Sequence, residues 1–196
     1  MKQRFRKFLL LCAAAAIFVP ASLVTATSTN IQAQARFLAA IQLTPSDMQF
    51  GNVTFGAAPG AGDTATLSTD GSISYVGTFT GGGGTVAAGN VAISATPGQT
   101  MDVSCNATGV LAQDAGPGRI TINDVRVANE SAAAGGGSTC AGIGTVVLSF
   151  TLASSSDDQI KVGGRIDGAT QVAFAAGDYA TTNAGGSNIL VDVIYQ

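Results

Sequence analysis

Beyond residue 35 the chain is cut by glycine so often that no long apolar pattern with the helical period of 3.6 survives. All 26 glycines fall in this part, with clusters at Gly81-Gly82-Gly83-Gly84, Gly135-Gly136-Gly137 and Gly185-Gly186. Between the clusters, Val, Ile, Phe and Ala occur in short runs bounded by Gly, Asn and Asp. Glycine and proline together stay below the ~25–30% that marks a disordered low-complexity chain. Short β-branched segments with frequent turn residues specify an all-β protein. The pattern predicts an all-β sandwich or barrel of about ten short strands.

Alternation of apolar residues gives the strand map. Phe37, Ala39, Ile41 and Leu43 share one face of a first extended segment. Further strands are expected at 48–55, 64–69, 73–79, 90–95 and 101–105. In 119–128 the apolar phase shifts from Ile120 and Ile122 to Val125 and Val127, which predicts a bulge. Val146, Leu148, Phe150 and Leu152 form a half-buried strand, followed by 160–166 and 171–174. Ile189, Val191, Val193 and Tyr195 lie on one face of a closing strand.

The first 35 residues read differently. Lys2, Arg4, Arg6 and Lys7 precede an unbroken apolar run from Phe8 to Val19, closed by Pro20. Ala33-Gln34-Ala35 then supplies a small-residue cleavage site. Together these make a secretory signal peptide over residues 1–35, cut between Ala35 and Arg36, with a second candidate cut after Ala26. The apolar run is too short for the ~20 residues of a membrane span. Cys12 sits inside that run behind Leu11, which does not suit lipidation. Residues 36–196 are therefore expected to form one exported domain, in the periplasm, at the cell surface or secreted.

Export changes the charge balance. Four of nine cations leave with the signal, and five remain against twelve acids, a formal charge of −7. Arg36, Arg119, Arg126, Lys161 and Arg165 are scattered, so neither nucleic acid nor an anionic membrane is an expected partner. Cys12 leaves too, and Cys105 and Cys140 remain as an even pair. In an oxidising compartment they are expected to form a disulfide; two separate buried thiols are the alternative.

Side chains for catalysis are scarce. There is no histidine, which removes the commonest general base, most zinc sites and the Ser-His-Asp arrangement. Asp157-Asp158 is the sole adjacent acid pair and falls in a serine-rich turn, where carboxylates are usually solvated. A calcium ion would need spaced oxygen ligands, and no such loop is evident. No glycine cluster is followed by Lys-Ser or Lys-Thr, so a phosphate loop is excluded. Sequons at Asn52, Asn106 and Asn129 arise readily by chance in such a composition. A non-enzyme without cofactors or catalytic residues is the expectation.

The two ends of the mature chain carry the functional signal. A strand that stops at the chain end can leave an open edge, which proteins normally guard. The alternating segment 36–44 could be a strand offered to another subunit, as in donor-strand complementation. The penultimate Tyr195 after Ile189, Val191 and Val193 resembles the closing strand of chaperone–usher pilins. Met48-Gln49-Phe50-Gly51, Val162-Gly163-Gly164-Arg165-Ile166 and Gly177-Asp178-Tyr179 resemble the secreted bacterial family catalogued as domain of unknown function 4402. The layout is more distantly similar to the spore-coat-U-like pilins.

The resemblance implies an immunoglobulin-like sandwich exported by Gram-negative bacteria that assembles into or decorates surface fibres. Like subunits or a periplasmic chaperone, joined by strand addition, are the implied partners. A secreted adhesive or ligand-binding β-domain outside any fibre is the alternative. An outer-membrane barrel fits poorly, because nine Phe and three Tyr without Trp make a weak aromatic girdle.

Overall fold

A computed structural model describes residues 34–56, 59–153 and 158–196. Residues 1–33 of the expected signal peptide and Asp157 lie outside these residues. From Phe37 to Gln196 the described chain is one unit whose regular structure is strand apart from two short 3-10 turns. In chain order they are β1 (Gln42–Ser46), β2 (Gln49–Phe50), β3 (Val53–Phe55), β4 (Thr64–Leu67), β5 (Ile73–Val76) and β6 (Phe79–Gly81). Then come β7 (Val86–Ala87), β8 (Gly89–Ser94), β9 (Thr100–Cys105), β10 (Gly109–Gln113) and β11 (Arg119–Asn129). The last are β12 (Ser138–Thr139), β13 (Leu148–Thr151), β14 (Asp158–Asp167), β15 (Tyr179–Ala180) and β16 (Val191–Tyr195). Ten have four residues or more; the rest are two- and three-residue pairings too short to leave a periodic trace.

The protein is an all-β sandwich. Its larger sheet runs β1-β8-β14-β11-β10-β15. The long β14 is shared on one side by β8 along its first half and by β4 along its second. The smaller sheet is β13-β9-β16, so β16 is an edge strand. Met101, Val103 and Val193 from the small sheet join Leu67, Ile93, Ile122, Val125, Val127 and Ile160 from the large one in a single apolar core.

The phase shift in β11 is a bulge: its register against β14 breaks between Asn123 and Arg126, and Asp124 takes a positive φ of 48°. That extra residue lets both Ile122 and Val125 face inward. Gly163 and Gly164 mark where β14 passes from β8 to β4. A Cβ on Gly163 would lie 2.5 Å from the Leu67 carbonyl oxygen, and one on Gly164 2.8 Å from Ile122 Cγ2. Only glycine lets the end of β4 cross so close.

Two expected segments differ. Strand 48–55 is divided at Gly51, whose φ of 68° turns the chain between β2 and β3. Residues 171–174 form no ladder beyond a single bridge from Val172 to Arg119, because Ala173 has a positive φ of 48° and breaks the extension. Alternation also misses β10, whose sequence Gly109-Val110-Leu111-Ala112-Gln113 has no clear two-residue period.

Candidate functional site

Cys105 ends the central strand of the small sheet, and Cys140 follows β12, which pairs with the large sheet. The two form a disulfide with Cα atoms 5.2 Å apart. The bridge therefore ties one sheet to the other, and both residues are buried.

Of the expected closing strand, β16 covers Val191–Tyr195, and Ile189 lies just before it. Ile189, Val191, Val193 and Tyr195 turn toward the core, while Leu190 and Ile194 are exposed. Tyr195 has a further task. Its hydroxyl receives the Thr96 N–H at 3.0 Å and donates to the Ala39 carbonyl at 2.7 Å. Thr96 completes the clasp by accepting the Ala39 N–H on Oγ1 at 2.7 Å. A residue of the small sheet thus grips the N-terminal segment where that segment leaves the large sheet.

This segment, residues 37–46, is a strand in backbone and an arm in every other respect. Its C-terminal part, β1, pairs with β8 from Gln42 against Ser94 to Ser46 against Asn90. Yet all five residues of β1 are exposed, Pro45 among them. Of Phe37, Ala39, Ile41 and Leu43, only Ile41 packs against the core. Phe37 is 91% exposed. The clasp at Ala39 holds the backbone at the rim, so the residues before it do not reach the apolar interior. Removing the arm would expose the edge of β8 and leave the core almost untouched.

A second feature was not legible as a site from the sequence. An open groove of about 900 Å³ is walled by Met48, Phe50, Phe55, Phe79, Phe174 and Tyr179, with Leu111, Ile120 and Ile166 also lining it. That volume is typical of ligand clefts. Phe174 packs edge-on against Phe55 at 4.7 Å and stacks on Tyr179 at 5.6 Å. The Tyr179 hydroxyl donates to the Ala175 carbonyl and accepts from its N–H, which fixes the ring. Asp178 is the sole charged residue among the described groove residues.

Two of the short motifs, Met48-Gln49-Phe50-Gly51 and Gly177-Asp178-Tyr179, face each other across this groove, and Ile166 from the third joins them. The family described as Domain of unknown function (DUF4402) matches residues 41–192. The chain belongs to that family. No curated protein and no solved structure matches it. In this DUF4402 domain the matched region runs from Ile41 to the second residue of β16 and includes the groove; of the clasp it holds Thr96, while Ala39 and Tyr195 lie just outside it.

The remaining candidates are structural. Asp158 begins β14, and its carboxylate receives the Ala153 N–H at 2.6 Å. Among the described residues no three acidic or cysteine side chains gather as a metal site. The four cations beyond residue 37 are engaged: Arg119 donates to the carbonyls of Gly116, Gly118 and Ala184, while Arg126, Lys161 and Arg165 face Asp124, Glu130 and Asp167. Asp63 and Asp70 are turn acids. Backbone N–H groups of Gly60 and Thr78 hold the Asp63 carboxyl below its usual range, and the Ser72 hydroxyl and N–H do the same for Asp70. No helix among the described residues is long and apolar enough to cross a membrane.

Proposed function

We propose that the mature chain is an exported, non-catalytic structural subunit whose copies associate at the bacterial surface by β-strand pairing through the N-terminal arm. The observation that carries this reading is the arm itself: ten residues held by one edge ladder and one clasp, with a single side chain in contact with the core. A strand that contributes main-chain bonds and little burial can be exchanged at small cost, because main-chain pairing is equally available from another copy. Edges of this kind are normally blocked, and here Pro45 lies within β1 itself. Like subunits are the partners, and a periplasmic chaperone that covers the β8 edge before assembly fits the same geometry.

The groove favours a second reading, a secreted adhesive or ligand-binding domain. The two are separated by deleting residues 37–44 in the full-length gene and recovering the exported product. The fibre reading expects a protein that still melts cooperatively but sediments as a monomer, where the parent forms larger species. If the deletion leaves the size distribution unchanged, the arm does not join copies.

A further inference from the structure

The lining of the groove divides by depth. Phe50, Phe79, Ile120 and Ile166 are buried and supply its apolar floor. Phe55, Phe174 and Tyr179 are only half-buried, so parts of three rings stay open to whatever enters. The planes of Phe55 and Phe174 meet at 63°, and Tyr179 stacks on Phe174 at 22°. Ring faces are the negative pole of an aromatic quadrupole and attract cations, and two rings set at an angle can bracket one.

Charge at the groove has one sign. Asp178 is its sole charged residue among those described, and the exposed Gln49 and Asn52 are neutral. A second acid adjoins it. The Asp114 N–H donates to the Asp178 carbonyl at 2.8 Å, one step beyond the pairing of Gln113 with Tyr179. Acids opposite each other on paired strands repel, which favours a positive charge at this corner. The described chain does not supply one. Arg119 gives its guanidinium to the carbonyls of Gly116, Gly118 and Ala184, and Arg126, Lys161 and Arg165 face other acids.

We propose that the groove binds an organic cation with an apolar body. Its ammonium head lies between Asp178 and the rings of Phe55 and Phe174, and its body covers the buried floor. An anion would meet a carboxylate and negative ring faces, and a plain hydrocarbon would gain nothing from the acid. This inference rests on the ligand-binding reading of the groove and names the class of ligand. The pairing of the arm along β8 uses other residues and is independent of it.

Three probes of matched shape test it. Phenyltrimethylammonium is titrated into the exported product of the full-length gene. In parallel run tert-butylbenzene, which has the same shape without the charge, and benzenesulfonate, which reverses the charge. Binding is read by nuclear magnetic resonance, with the ring protons of Phe55, Phe174 and Tyr179 as local reporters. The ammonium is expected to bind about tenfold more tightly than the hydrocarbon, and the sulfonate not to bind. Asp178→Asn should bring the ammonium down to the level of the hydrocarbon and leave the hydrocarbon unaffected. Phe174→Leu, which keeps apolar volume but removes a ring face, should also weaken the ammonium; melting curves check the fold of both variants. Equal affinity for ammonium and hydrocarbon, or an unchanged ammonium preference in folded Asp178→Asn protein, would overturn the inference. Methyl β-glucoside serves as a neutral polar probe. If it shifts the groove reporters and the ammonium does not, the ligand-binding reading stands and the cation is wrong. If no probe shifts them, both fail.

Discussion

Replacing Cys105 and Cys140 together by alanine should remove a large part of the margin that keeps this sandwich folded. The bridge closes a loop with a sequence separation of 35. Loop closure in the unfolded chain then accounts for about 4 kcal/mol at 25 °C in the chain-entropy model. Domains of this kind are stable by about 5–15 kcal/mol in total, so the loss is a large fraction of the whole. Topology raises the stake, because the bridge joins the small sheet to the large one. Alanine is preferable to serine, since both sites are buried and a hydroxyl there would lack a partner. The chain has no tryptophan, so urea unfolding is followed by far-ultraviolet circular dichroism. The expected result is a fall of about 3–5 kcal/mol, and a similar fall for the parent under reductant. A change below about 1 kcal/mol would refute the claim that the bridge holds the sheets together.

Other consequences follow from particular contacts. Gly163→Ala should cost about 2–4 kcal/mol, because its Cβ meets backbone that cannot move aside, while Gly56→Ala, with open space around it, should stay within about 0.5 kcal/mol; parallel denaturation curves decide this. Tyr195→Phe loses both bonds of its hydroxyl and should destabilise by about 1–2 kcal/mol, with faster amide exchange at Ala39 as the local sign. The Asp63 carboxyl has a folded pKa below its ordinary 3.8, so its contribution is fully present above that value and is lost as pH falls through the folded pKa. Stability of the parent should therefore decline below about pH 4, and Asp63→Asn should make that decline shallower in acid titrations of melting temperature.

How far the sequence reached depends on what each feature is made of. The β11 bulge was legible because the jump from Ile122 to Val125 breaks a two-residue period within one segment. The closing strand was legible for the same reason, and the disulfide because Cys105 and Cys140 are the only cysteines beyond the expected signal peptide. The groove was not, although its wall-forming motifs were noticed one by one. Its residues come from 48–55, 79, 85, 111, 120, 166 and 174–179, and no periodicity within any of these reports that they converge. The arm was legible as extended, but alternation implied burial that only Ile41 achieves. Alternation reports which residues could share a face; it does not report whether a second layer covers that face. At Phe37 none does, since the clasp at Ala39 holds the chain at the rim.

The central claim is that the N-terminal arm of one copy engages another. It is tested most directly by placing a photo-crosslinking phenylalanine analogue at position 37 and mixing heavy-isotope and unlabelled protein before irradiation. The account predicts crosslinked peptides that pair a heavy chain with a light one. Crosslinks confined to chains of a single isotope, or none above the monomer background, would contradict it.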